Sequence, residues 1–262
     1  MRCATTEAVE PTSLGDLSDG ARTGRFGAIR LLATDVDGTL TRGSALDPRV
    51  VVEIARLCEL GIEVVPVSGR PAGEILGLVR YLPGVRRGIA ENGQVEVVPD
   101  RPVRWLGPPT DRPAIRERAL ELGRTHGVPL RTTADDPFRV GDVAFERDGA
   151  TDQTLLALVP AVRAAGLFVT WSNVHIHFTP SSPDKGAALL VAAGIDGGAI
   201  ATIGDAPNDA GLFVAGRFGA TVGTADVLRQ RAAMPAMPEF VTAGAESAGF
   251  LELAAVLVAT RA

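Results

Sequence analysis

Three short apolar runs, residues 29–33, 62–67 and 199–203, each stop abruptly at a polar cluster. A run of this length bounded by turn residues reads as a strand buried on both faces, and such strands belong to parallel sheets covered by helices. Helical patterns follow the polar clusters, opening at Asp47-Pro48, at Pro71 and at Lys185. The chain therefore reads as an α/β protein, in which ligands bind just past the carboxyl ends of the strands. The polar clusters fall at those ends and converge on one crevice.

The cluster after the first run is DVDGTLT at 35–41. Asp35 and Asp37 lie two apart, so in extended chain their carboxylates share one side and repel unless a cation or a shared proton relieves them. Gly38 permits a tight turn and close approach of a ligand to bare backbone. Taken alone, the string is also compatible with a plain Asp-rich turn. After the second run, Ser68-Gly69-Arg70 offers a hydroxyl and free N–H groups at the start of a helix, the kind of donor set that holds phosphate. Lys185 sits at a helix start, where the dipole disfavours a cation, so it needs an anion nearby or remains solvated. After the third run, GDAPND at 204–209 places Asp205 and Asp209 four apart at the next helix start, a pattern that ordinary capping also produces.

In this order and context, DVDGTLT at 35–41, SGR at 68–70, Lys185 in DKG and GDAPNDAGLF at 204–213 resemble the haloacid dehalogenase superfamily of phosphohydrolases. The last string, with ENG at 91–93, resembles the subgroup of sugar-phosphate phosphatases carrying a large α/β cap inserted after the second motif. The resemblance spans residue 29 to the C-terminus. It implies that Asp35 is a nucleophile forming an aspartyl-phosphate and that Asp37 protonates the leaving alkoxide and later deprotonates water. It implies Mg²⁺ held by Asp35, the Asp37 carbonyl and Asp205, with Asp209 holding a metal-bound water or orienting the shell. Ser68, the Gly69 N–H and Lys185 would then neutralise phosphoryl oxygens, with Asn208 adding a polar contact. Arg70 and Asn92 join them as candidate substrate contacts; Arg70 is equally readable as a helix cap.

The implied architecture is a Rossmann-like parallel-sheet core, residues 29–97 and 180–262, with an α+β cap inserted at 98–179. Residues 1–28 are polar and Gly-rich, lack the apolar stretch of a secretory signal, and read as a disordered tail. Asn92-Gly93 is a hairpin signal. Beyond it the order helix, strand, strand is used twice: a helix to His126 with strands at 129–133 and 140–145, then a helix at 151–165 with strands at 167–171 and 174–178. Such a unit makes one sheet with helices on one face and the other face open.

In Val174-His175-Ile176-His177-Phe178 the apolar residues alternate with histidines, so Val174, Ile176 and Phe178 should meet the helices while His175 and His177 look outward. Two readings are open: contact with the substrate's leaving group, together with Trp171, Ser172 and Asn173, or an ordinary wet sheet face. Zinc would need a third ligand that the sequence does not supply.

At 262 residues and 46% hydrophobic content the chain can bury a full core and a second small domain. A net charge of −5 argues against nucleic-acid or anionic-membrane partners, and no apolar run approaches the length of a membrane span. Cys3 and Cys58 are the only cysteines, and Cys58, in a helical pattern, reads as a buried thiol. These features suit a cytoplasmic, Mg²⁺-dependent phosphatase of a small phosphate ester, with a sugar phosphate as the expected substrate. A phosphohexomutase of the same superfamily and a catalytically silent phosphate-binding protein are the alternatives.

Overall fold

The structure, a computed structural model, describes residues 10–172 and 174–261. Its centre is a six-stranded, all-parallel sheet in the order Thr12–Ser13, Phe240–Val241, Ala220–Gly223, Ile200–Gly204, Leu31–Thr34, Glu63–Pro66. Leu31, Leu32 and Ala33 are fully buried, as are Ile200, Ala201 and Ile203, because helices cover both faces. One face packs Ile54 and Leu57 of helix Pro48–Glu59 with Phe250 and Leu257 of helix Ser247–Ala259. The opposite face packs Leu189 of helix Lys185–Ala193 with Leu212 and Phe213. The helix starts carry the expected caps: Asp47 accepts from Arg49 N, Asp184 from Ala187 N. Cys58 is half-buried against the first of these faces, and Cys3 lies outside the described residues.

The first 28 residues depart from the sequence reading. Residues 1–9 lie outside the described region, but 10–28 are built into the core. Thr12 and Ser13 pair in parallel with Phe240 and Val241, extending the sheet by one strand. Helix Asp19–Phe26 follows, capped by the Ser18 hydroxyl, and Leu14 and Phe26 are completely buried. The polar, Gly-rich composition conceals this because only Leu14 and Phe26 of the stretch are fully inside; the rest of the helix is solvated on its outer face.

Asn92-Gly93 does turn a hairpin, between Gly88–Ala90 and Val95–Val97, and Val67 bridges Ile89 so that the hairpin continues the main sheet's edge. Beyond it, helices Arg112–His126 and Asp152–Ala164 cover one face of an antiparallel sheet ordered Phe168–Trp171, His175–Thr179, Val143–Glu146. The first strand of the first unit is reduced to a single bridge, Thr132 to Phe145. Pro129 has no N–H to give a ladder, and an Asp-Asp-Pro turn follows at 135–137. The second strand begins at Val143 rather than 140, since the N–H groups of Val140, Gly141 and Asp142 are taken by the Glu91 carboxylate. Ile176 and Phe178 are buried among the cap helices as the alternation requires, but Val174, at the strand's entry, is 55% exposed.

Because Phe26 is fully enclosed and its ring lies tilted against Phe240 with centroids 5.6 Å apart, Phe26→Ala should lower the unfolding free energy by about 3–5 kcal/mol. Urea denaturation monitored by circular dichroism measures this; an unchanged midpoint would return residues 10–28 to the role of a dispensable tail.

Candidate active site

Strands Leu31–Thr34 and Ile200–Gly204 run side by side with Thr34 opposite Ile203, so the residues that follow them, Asp35 and Asp205, leave the sheet together. Asp35 N donates to the Ile203 carbonyl at 2.9 Å, which fixes where its side chain starts. The turn beyond needs Gly38: its φ is +79°, and a Cβ there would lie 2.7 Å from the Asp205 carboxyl carbon.

Lys185 finds the anion that its place at a helix start demands. Its Nζ, fully enclosed, donates to Asp35 Oδ1 at 2.7 Å and to Asp209 Oδ1 at 2.6 Å. Burial disfavours the ammonium, but the Asp209 and Asp35 carboxylates outweigh it and raise the Lys185 pKa. Asp35, Asp205 and Asp209 are all buried, with ligand atoms within 4.8 Å of one another. Burial and then the Asp209 charge push the Asp35 carboxyl up to about 7. The same two causes, in that order, raise Asp205 well above the carboxylate range. Three crowded carboxylates against one ammonium, offering oxygen donors only, are the setting that a hard divalent cation relieves. Asp209 is already occupied: Oδ1 by Lys185, and Oδ2 by the N–H groups of Asp205 and Ala206 at 3.0 Å each. Asp35 and Asp205 each keep one carboxylate oxygen outside the hydrogen bonds of the described residues, Asp35 Oδ1 being on Lys185 and Asp205 Oδ1 on the Thr39 hydroxyl.

The other predicted positions are distributed unevenly. Asp37, Ser68, Gly69 and Asn208 line the same crevice, about 260 Å³ in volume. Arg70 does more than cap a helix: its guanidinium grips both Asp37 oxygens at 2.7 Å and reaches Glu74 at 2.6 Å. Asn92 lies behind the turn instead of in the crevice lining; its Oδ1 accepts from Asn208 Nδ2 at 3.3 Å, and a Cβ on Gly69 would meet it at 3.1 Å.

From the cap, His175, His177, Ser172 and Asp135 face the carboxylates across the crevice. His177 is no wet-face residue: it is 2% exposed, and its Nδ1 is 2.7 Å from Asp142 Oδ2, leaving Nε2 as the ring nitrogen available to the crevice. Burial, then the neighbouring His177, holds His175 below the usual imidazole range. Trp171 is outside the lining and donates its indole N–H to Asp152 at 2.9 Å. Asn173 lies outside the described residues.

Two groups went unassigned by sequence reasoning. Glu91, fully buried, accepts the N–H groups of Ala72, Val140, Gly141 and Asp142 at 2.9, 2.9, 2.5 and 2.7 Å, joining the core to the cap. Arg139, also buried, bridges Asp142, Asp135 and the Gly69 carbonyl. The signal for Glu91 was an acid at the tip of an otherwise apolar hairpin. Arg139 sits just before the strand expected at 140–145, and nothing in its spacing marks it.

A parallel sheet with buried carboxylates at its carboxyl edge, an ammonium between them and an α/β cap above defines a phosphoryl-transfer enzyme of the haloacid dehalogenase type. Comparison with known proteins agrees. The chain is 30% identical over 231 residues to a phosphoglycolate phosphatase of Methanothermobacter thermautotrophicus, covering 86% of this chain and 96% of that one. It is 31% identical over 226 residues to the phosphoglycolate phosphatase of Natronomonas pharaonis, covering 84% and 94%. The crystal structure of Thermoplasma acidophilum 0175 superimposes with a TM-score of 0.72 at 18% identity, covering 88% and 99% of the two chains. No family model matches the sequence. The chain belongs to the haloacid dehalogenase superfamily and is a phosphatase, which sets aside the catalytically silent alternative. Among the described residues no helix is long and apolar enough to cross a membrane.

Asp142 gives the site a pH dependence. Burial alone would raise its pKa, but the Arg139 charge and the His177 hydrogen bond hold it down at about 2, against 3.8 ordinarily. A carboxyl depressed in the folded state stabilises the fold above its ordinary pKa, and that stabilisation is lost as pH falls through the folded value. Wild type should therefore lose about 2 kcal/mol more than Asp142→Asn between roughly pH 4 and pH 2. Denaturant titrations across that window measure it; identical acid slopes for the two proteins would remove Asp142 from the account.

Proposed function

We propose that the protein is a Mg²⁺-dependent hydrolase of a small, carboxylate-bearing phosphate monoester such as 2-phosphoglycolate, working through an aspartyl-phosphate on Asp35. What carries the chemical part is the buried carboxylate cluster around Lys185 at the sheet's carboxyl edge. The substrate class is supported by the names of the sequence relatives, which are phosphoglycolate phosphatases, and by Arg70 in the crevice lining, a guanidinium able to pair with a substrate carboxylate. This moves the expectation from a sugar phosphate to a shorter acid.

In this reading Asp35 and Asp205 hold the metal, and Asp209 acts at one remove, since both its oxygens are engaged. Bound Mg²⁺ would screen the phosphoryl charge and that of Asp35. Asp35, freed from repulsion and with its Oδ1 held by Lys185, attacks phosphorus. Lys185, the Ser68 hydroxyl and the Gly69 N–H take up charge on the equatorial oxygens. Asp37 must give a proton to the departing alkoxide and then accept one from water. Arg70 now covers both Asp37 oxygens. It has to move before either can act, and a carboxylate on the leaving group is the competitor able to draw a guanidinium away. In this reading His177 Nε2, from the cap, binds the same leaving group, supported by its place in the crevice lining.

The decisive experiment is kcat/KM across a panel of 2-phosphoglycolate, other phosphorylated short acids and hexose phosphates. Phosphorylated acids should lead, and Arg70→Met should cost them about 1.5–3 kcal/mol of transition-state binding while sparing para-nitrophenyl phosphate. A hexose phosphate leading the panel would overturn the substrate assignment. Asp35→Asn should lose turnover altogether with its fold intact, and calcium should inhibit, because its looser coordination lets Asp35 bind through both oxygens. Near wild-type turnover by Asp35→Asn would end the mechanism.

A further inference from the structure

Arg139 is the largest completely buried side chain in the described structure, and it reaches from the cap into the core. Within the cap its Nη1 donates to Asp142 Oδ1 at 2.9 Å and its Nη2 to Asp135 Oδ2 at 2.8 Å, so its charge is already matched there. The same Nη1 also donates to the Gly69 carbonyl at 3.0 Å, a bond to the core that charge balance does not require.

The Gly69 carbonyl belongs to the peptide whose other end is Arg70 N, and that N–H donates to Ser68 Oγ at 3.2 Å. A peptide is planar, so holding its oxygen also aims its N–H. With one lone pair of Ser68 Oγ taken in this way, the hydroxyl's own hydrogen is left to be donated into the crevice. Asp142 carries a second branch: Oδ1 on Arg139, Oδ2 on His177 Nδ1. One guanidinium thus steadies a hydroxyl on the core side of the crevice and an imidazole on the cap side. Lysine could replace the charge but not the planar fork that spans three partners at once.

We infer that Arg139 is a positioning residue through which the cap orients the Ser68 hydroxyl for the phosphoryl group. The inference rests on the proposed reading of Ser68 as a phosphoryl ligand. Arg139 touches no substrate in this account, and its effect travels through the 69–70 peptide.

A double-mutant cycle on para-nitrophenyl phosphate turnover at saturating Mg²⁺ tests it, since that ester asks little of the cap. Ser68→Ala should lower kcat by about 10²-fold, and Arg139→Lys by about tenfold. In the Ser68→Ala background Arg139→Lys should cost almost nothing further, because its target hydroxyl is gone. A second tenfold loss in that background would overturn the inference and leave Arg139 a general support of the fold. Ser68→Ala with wild-type kcat would instead defeat the site reading itself, a distinct result. Thermal unfolding confirms that the variants are folded. Should Arg139→Lys fail that check, Arg139→Met with Asp142→Asn removes the innermost buried pair together, and the cycle is read on that background.

Discussion

One buried ammonium organises the molecule. Lys185 is held between Asp35 and Asp209, and these residues come from three separate stretches of chain that only the parallel sheet brings together. Burying an unpaired charge at this depth is prohibitive, so the folded state is acceptable only when strand Leu31–Thr34, strand Ile200–Gly204 and helix Lys185–Ala193 are all in register. The electrostatic demand of the site is therefore also a demand on topology. What repels in the folded protein, three carboxylates around one cation, is the same arrangement that makes a divalent ion welcome.

The cap adds a different kind of constraint. Its helices pack a separate small core around Phe145 and Phe178, but its attachment to the catalytic half includes buried polar bonds: the N–H groups of Val140, Gly141 and Asp142 on Glu91 and the Arg139 guanidinium on the Gly69 carbonyl. Burial, followed by the Asp142 charge, raises the Glu91 carboxyl to about 7, while the N–H groups it accepts pull the other way. Directional bonds of this kind fix orientation more sharply than apolar contact does. They therefore set where the second domain sits over the crevice.

The sequence exposes the core site and hides the cap's contribution for one reason. Asp35, Ser68 and Asp205 stand immediately after buried strands, so strand pattern and motif point to the same residues. Asp142 and Glu91 act through pairings between distant segments, Arg139 reaches the Gly69 carbonyl 70 residues away, and the alternation in 140–145 suggested a strand where backbone N–H groups are instead turned onto a carboxylate. The histidines fall between: alternation placed His177 on the open face, but its partner Asp142, 35 residues away, was not readable. Residues 12–26 were missed because two buried side chains in a polar stretch make no periodic signal, although Leu14 and Phe26 are as enclosed as any residue of the sheet.

That first segment has a consequence for the order in which the protein can form. Thr12–Ser13 pairs with Phe240–Val241, and Leu31–Thr34 has Ile200–Gly204 as its neighbour. During synthesis Leu31–Thr34 therefore has only Glu63–Pro66 beside it until residues 200–204 are made, and Thr12–Ser13 waits for residues 240–241. The cap, whose strands and helices are consecutive, meets its own partners long before that. Local contacts form faster than remote ones, so the cap can complete its own contacts before strand Phe240–Val241 arrives to join Thr12–Ser13 to the sheet.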